Sequence, residues 1–120
     1  MNSKLLFLVT SLLTVYLAGY IQVHLHEYVH YIIYKHYGCQ AFVQIDYLAL
    51  KGRTTGLCYN LTKEDYDKMF MQHILNEAVA YNITPLLIML TSILVIGQYF
   101  ILHELEKIHR LLKEKKSYLR

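Results

Sequence analysis

The sequence predicts a mainly α-helical membrane protein, with two transmembrane helices, a small β-hairpin between them and a C-terminal amphipathic helix. The chain has 120 residues, of which 55% are hydrophobic and only 18% are charged. So small a soluble domain has difficulty burying that much apolar surface. Two long runs, residues 5–23 and 78–102, contain no charged residue, and residues 40–59, which lie between them, alternate as strands do. We therefore expect a single membrane domain over residues 1–120.

The first predicted helix covers residues 4–37 and begins with the uncharged run 5–23, which is about as long as a spanning helix needs to be. The same run could be a secretory signal with Lys4 in its basic region. Tyr16, however, occupies the position where a signal cleavage site requires a small residue. We therefore expect the helix to be retained. Gly38 predicts a left-handed residue that ends it.

Residues 40–59 carry β-forming residues in alternation, which predicts a β-hairpin. The glycine in the pair 51–52 suggests a turn there. That turn places Cys58 opposite Ile45, away from Cys39. A disulfide is possible if this segment faces an oxidising compartment. The predicted pairing favours two free thiols.

Thr62, with Asp65 three residues later, predicts the start of a second helix. This helix is expected to cover residues 63–102 and to include the second span, with Pro85 as a kink or a joint. Residues 103–118 then form a basic tail helix with apolar residues on one face.

The basic residues indicate the orientation of the chain in the bilayer. The tail carries Lys107, Arg110, Lys113, Lys115, Lys116 and Arg120. Because basic residues near span ends favour the cytoplasmic side, we expect a multi-pass integral membrane protein with both termini in the cytoplasm and the hairpin outside. The tail is expected to lie against anionic lipid and to bind no nucleic acid. Its apolar stripe (Leu105, Ile108 and Leu112) would also suit a homo-oligomer.

The segment His26-Glu27-Tyr28-Val29-His30 fits the pattern H-E-x-x-H. On a helix, residues four apart lie on one face, so His26 and His30 can bind the same metal ion. Glu27 can then hold the metal-bound water and take its proton. The pattern predicts a Zn²⁺ site on the first helix.

A second segment, Asn76-Glu77-Ala78-Val79-Ala80-Tyr81, resembles the third-ligand helix of gluzincin peptidases. The resemblance implies that Glu77 is the third zinc ligand. Two histidines and a glutamate, with a fourth position open to water, are typical of catalytic zinc. His26 and His30 follow the first span and Glu77 precedes the second, so antiparallel spans would bring the three together at one membrane face.

The chain also resembles the site-2 protease family of intramembrane zinc peptidases. That resemblance rests on H-E-x-x-H in a membrane helix, a helix-Gly-strand continuation around Gly38, and Asn82-Ile83-Thr84-Pro85, which is similar to that family's Asn-x-x-Pro. No aspartate, the third ligand of that family, follows Pro85. Both resemblances imply a membrane-embedded zincin. They leave open whether it is similar to the gluzincins or to the site-2 proteases.

Two further residues are candidates for the site. His73, one helical turn before Glu77, is an alternative third ligand. Tyr81, one turn after Glu77, is a candidate catalytic residue that would donate to the oxyanion of a tetrahedral intermediate. As an alternative, Tyr81 belongs to an interfacial aromatic belt, since the chain has twelve tyrosines.

These residues predict a zinc-dependent metallopeptidase that hydrolyses peptide bonds near the membrane surface, with Glu27 as general base. The expected substrate is a peptide or a membrane-protein segment. The alternative is a non-catalytic membrane protein: a pseudo-enzyme, an assembly factor, or a carrier of a histidine-bound metal or haem. No Cys-x-x-Cys-His motif supports a covalently attached haem.

Overall fold

The computed structural model describes residues 3–118 and consists of four elements. Helix α1 (Ser3–His36) is followed by strands β1 (Gln40–Asp46) and β2 (Lys51–Leu57) and by helix α2 (Lys63–Tyr118). The chain is 77% helical, which confirms the mainly α-helical prediction with a small antiparallel sheet between two long helices. Both helices are long and apolar enough to cross a membrane. Within the described residues, the fold divides into two compact units, residues 17–87 and residues 3–16 with 88–118.

Helix α1 ends at the predicted glycine. Gly38 has a φ of 74°. Its N–H donates to the Lys35 carbonyl at 3.1 Å, and the Cys39 N–H donates to the Tyr34 carbonyl at 3.0 Å. These two bonds form a Schellman motif, which satisfies carbonyls at the helix end and turns the chain towards β1.

The hairpin confirms the prediction of two antiparallel strands, but the predicted turn was wrong. Asp46 pairs with Lys51, so the connection is the four residues 47–50. The Asp46 carboxylate accepts hydrogen bonds from the N–H groups of Leu48 and Ala49, both at 3.0 Å. Leu50 completes the turn with a φ of 49°. An aspartate that binds the backbone two or three residues later stabilises a turn without glycine.

The corrected register also overturns the prediction of free thiols. Gln40 pairs with Leu57, which brings the preceding Cys39 opposite Cys58. The two cysteines form a disulfide. This bond ties the end of α1 to the end of β2. It belongs to a small core of buried Ile33, Cys39 and Met69, against which Tyr34, Tyr37, Cys58 and Leu61 pack.

Strand β2 lies along α1, and two of its glycines make the close approach possible. A Cβ at Gly52 would lie 2.6 Å from Oε1 of Glu27, and a Cβ at Gly56 would overlap the ring of Tyr34. Between them, Thr54 donates its hydroxyl to the Glu27 carbonyl at 3.1 Å. The even-numbered residues of β2 are partly buried and the odd-numbered residues are exposed, as expected of a strand with one face on a helix.

Helix α2 begins as predicted. The Thr62 hydroxyl accepts a hydrogen bond from the Asp65 N–H at 3.1 Å and donates to the Asp65 carboxylate at 2.7 Å. This reciprocal arrangement is an N-terminal cap. The helix continues without a break through Pro85, and residues 103–118 extend it instead of forming a helix of their own. Nothing in that tail interrupts a helix, since it contains neither glycine nor proline.

The unit of residues 3–16 and 88–118 is a pair of antiparallel helical segments with little burial. Phe7 contacts Tyr99 edge to face, with ring centroids 5.6 Å apart. The Gln98 amide donates to the Thr14 hydroxyl at 2.6 Å. The most apolar windows of both helices have none of their residues buried. The large exposed aliphatic side chains include Leu12 at 63% and Ile101 at 63% exposure.

Candidate metal centre

Three predicted ligands converge within the unit of residues 17–87. His26 and His30 lie one turn apart on α1, and Glu77 reaches them from α2. The Nε2 atoms of the two histidines are 3.3 Å apart. Oε1 of Glu77 lies 3.1 Å from Nε2 of His30 and 3.4 Å from Nε2 of His26. The structure therefore brings His26, His30 and Glu77 together, with one ligand atom from each, as a group that could hold a metal ion.

These separations match the geometry of a zinc site. Ligand atoms about 2.0–2.1 Å from a tetrahedral zinc ion lie about 3.3–3.4 Å from one another, because they occupy the corners of one tetrahedron. The three observed distances, 3.1, 3.3 and 3.4 Å, lie close to that edge length. Two imidazoles and one carboxylate leave a fourth corner free for water. The three residues could therefore hold a metal ion, and their geometry is compatible with Zn²⁺.

Neighbouring side chains hold the two histidines in place. The Asn76 amide donates to the His26 carbonyl at 3.2 Å and lies 3.4 Å from Nδ1 of His26. On the other histidine, Nδ1 of His30 lies 2.6 Å from Nδ1 of His73. Each histidine thus directs Nε2 towards Glu77 and has a partner from α2 near Nδ1. A metal-binding histidine donates its other ring N–H to an acceptor, which fixes its orientation and tautomer. His73 can accept in this way at His30, whereas the contact at His26 comes from the amide nitrogen of Asn76, which is a donor.

His73 contacts the side of His30 that faces away from Glu77. Its ring lies edge to edge with that of His30, with centroids 4.9 Å apart and planes 26° apart, and it lies 4.4 Å from the ring of Tyr34. Burial lowers the pKa of His73, the neighbouring His30 lowers it further, and Glu77 acts in the opposite direction. The lowered pKa favours a neutral ring, which can accept a hydrogen bond at one nitrogen.

Glu27 is the only charged residue that is buried among the described side chains, at 5% exposure. Its Oε2 accepts a hydrogen bond of 2.6 Å from the hydroxyl of Thr54 on β2. Gly52, also on β2, lies directly over the same side chain. A buried carboxylate is costly unless it is hydrogen-bonded, so β2 supplies both the cover and the donor that Glu27 needs.

An open cavity of about 520 Å³ lies beside His26, Glu27 and Glu77. Its size falls in the range of small-molecule and peptide side-chain sites. Glu27, His26 and Glu77 lie on its wall with Tyr81. The remaining lining residues come from α1, the hairpin and α2: Gly19, Gln22, Val23, Leu50, Lys51, Gly52, Ala80 and Thr84.

Tyr81, a candidate from the sequence, lines the cavity and is 78% exposed, so its hydroxyl is free to approach a bound molecule.

The converging residues were named from the sequence, but the residues that support them were not. Thr54 and Gly52 were not identified, because their positions against Glu27 depend on how the hairpin packs on α1. The alternation of β2 would have placed both on one face. Asn76 was noticed only as part of a motif.

Comparisons with known proteins do not assign the chain to a family. The chain matches no family model, and it has no significant match among curated proteins or solved structures.

Proposed function

We propose that this protein is a membrane-embedded, zinc-dependent peptidase whose metal is held by His26, His30 and Glu77. The observation that supports this most strongly is the set of three distances among the ligand atoms, 3.1 to 3.4 Å, which fit a tetrahedral zinc site. The exposed cavity beside them also contains Glu27, the glutamate of the H-E-x-x-H motif. A ligand set with a vacant fourth position, next to a carboxylate base, is the arrangement of a hydrolytic zinc site.

The exposed apolar surface supports insertion into a bilayer. Among the described residues, the only hydrophobic ones that are buried are Ile33, Cys39 and Met69. Both long helices expose their aliphatic residues, and soluble monomers rarely expose continuous apolar surfaces of that extent. In a membrane, the same surface faces lipid. The run 5–23 ends shortly before His26 and the run 78–102 begins directly after Glu77, so the metal centre belongs at a membrane face.

The disulfide and the basic tail agree on which face that is. The Cys39–Cys58 disulfide closes the hairpin segment, and disulfides persist mainly in oxidising compartments. The basic residues of the tail favour the cytoplasmic side. We therefore place the hairpin and the metal centre outside the cytoplasm, with both termini inside.

The proposed reaction is hydrolysis of a peptide bond. Zinc, when bound, would polarise the substrate carbonyl and lower the pKa of a bound water. Glu27 accepts the proton of the attacking water and passes it to the nitrogen of the leaving amine. Thr54, through its hydrogen bond to Oε2, keeps the Glu27 carboxylate in one orientation. Tyr81, on the cavity wall, donates its hydroxyl to the oxyanion of the tetrahedral intermediate.

The substrate is a peptide or an extended segment of a membrane protein. In the two-stranded sheet, β2 has one edge paired with β1 and the other unpaired. Lys51 and Gly52, at the start of β2, line the same cavity as Glu27 and Glu77. An extended chain that pairs with this edge would pass beside the metal centre, a mode of peptide recognition used by many proteins.

Metal analysis and hydrolysis of peptides test this proposal together. Purified protein in detergent micelles should contain one equivalent of zinc and cleave members of a quenched fluorescent peptide library. Glu27→Gln should retain the zinc and lose cleavage, because it removes the base and leaves the ligands. Glu64→Gln, a matched change at an exposed glutamate paired with Lys68, should retain both. Zinc-free protein, or cleavage that survives Glu27→Gln, would contradict the proposal.

A further inference from the structure

His73 is not part of the converging group, yet it makes a short contact with one of the three proposed ligands. Its Nδ1 lies 2.6 Å from Nδ1 of His30, a distance that requires a hydrogen atom between the two nitrogens. A neutral imidazole carries hydrogen on only one nitrogen. The choice of which ring donates therefore determines the state of Nε2 on both rings.

Only one of the two arrangements is compatible with a metal at the centre. If His73 donates, neutral His30 has its hydrogen on Nε2, the atom that faces His26 and Glu77. A protonated nitrogen has no lone pair to give to a metal. If His30 donates, its Nε2 is free to bind the metal and His73 acts as the acceptor.

On these grounds, and resting on the zinc site proposed above, we infer that His73 is a positioning residue. It accepts a hydrogen bond from the Nδ1–H of His30 and thereby holds Nε2 of His30 as a metal ligand. His73 is not itself a ligand in this arrangement, because its Nδ1 is occupied by His30. Its Nε2 is buried and has no hydrogen-bond partner among the described residues.

The packing around His73 supports this role. The ring is fixed between His30 and Tyr34, with centroid distances of 4.9 and 4.4 Å. Glu77 follows His73 by one helical turn on α2, so the same helix face supplies the third ligand and the acceptor behind the second. A rotation of α2 would disturb both contacts at once.

Zinc titration of substituted proteins tests the inference. His73→Phe keeps a ring of similar volume but has no acceptor, so we expect zinc to bind about 10–100 times more weakly. His73→Asn offers an amide oxygen close to the position of Nδ1 and should bind zinc more tightly than His73→Phe. His24→Phe is the matched control, because His24 contacts the Tyr20 carbonyl and lies outside the centre; its zinc affinity should be unchanged.

NMR of the unsubstituted protein gives an independent result that does not depend on a variant folding. With zinc bound, ¹⁵N shifts of the histidine rings should show a protonated Nδ1 on His30 and an unprotonated Nδ1 on His73. The reverse assignment would overturn the inference, as would a His73→Phe protein that binds zinc as tightly as the wild type. If the wild type itself binds no zinc, the proposed function fails, and the inference fails with it.

Discussion

The hydrogen bond from Thr54 to Glu27 gives the sharpest test of how the hairpin supports the candidate site. Thr54→Val keeps the shape of the side chain and removes the hydroxyl. That hydroxyl donates its single hydrogen to Oε2 of Glu27 at 2.6 Å, and the Glu27 carbonyl at 3.1 Å shares it as a second acceptor. Glu27 is only 5% exposed, so water cannot readily replace the lost donor. A hydrogen bond to a charged group contributes about 1.5–3 kcal/mol.

We therefore expect Thr54→Val to lower the free energy of unfolding by about 1.5–3 kcal/mol, measured by urea unfolding in detergent micelles. The next residue supplies the control. Thr55 is exposed and points to the opposite face of β2, so Thr55→Val should change the free energy by less than about 0.5 kcal/mol. Peptide cleavage should also fall in Thr54→Val, because the carboxylate of Glu27 loses its orientation. Equal stability of the two variants would refute the reasoning.

Three other predictions follow from the fold. Reduction of the Cys39–Cys58 disulfide, which closes a loop of sequence separation 19, should lower the free energy of unfolding by about 3 kcal/mol; an unchanged melting temperature would contradict this. Gly52→Ala should lower it by about 1–3 kcal/mol, because the new Cβ meets the Glu27 carboxylate, whereas Gly97→Ala, where nothing lies within 4 Å, should not lower it. In intact cells, a membrane-impermeant maleimide should label Leu48→Cys, at the 97% exposed hairpin tip, and leave Lys113→Cys unlabelled; the opposite pattern would reverse the orientation.

The ends of the helices were predicted correctly because they depend on residues that are close to one another in the sequence. The end of α1 at Gly38 and the start of α2 at Thr62 are determined by hydrogen bonds within a few residues. The convergence of His26 and His30 follows from helical spacing alone. Glu77 could be predicted as the third ligand only from the resemblance to a known motif and from the order of the two spans.

The hairpin register was wrong because one glycine has a role that its immediate neighbours do not reveal. Gly52 was interpreted as a turn residue, but it is required for close packing against Glu27. The turn instead forms at Asp46, whose carboxylate binds two backbone N–H groups. That error in register separated Cys39 from Cys58 and led to the prediction of free thiols. A long-range contact between β2 and α1 was needed to correct it.

At the candidate metal centre, the role of His73 also depends on long-range packing. Its position one turn before Glu77 made it an alternative third ligand. The structure places it behind His30, with Nδ1 facing Nδ1 at 2.6 Å. Spacing on one helix indicates that His73 and Glu77 share a face, but only the packing of α2 against α1 determines which of them reaches Nε2 of His30.

X-ray absorption spectroscopy of the zinc-loaded protein tests the central claim most directly, because it counts the atoms bound to the metal. We expect a four-coordinate zinc with nitrogen and oxygen ligands at about 2.0–2.1 Å, two of them imidazoles. Glu77→Gln should change this spectrum, and His73→Asn should preserve its ligand count. A site with three imidazoles would indicate that His73 is a ligand, and a zinc ion without imidazole ligands would contradict the proposed metal centre.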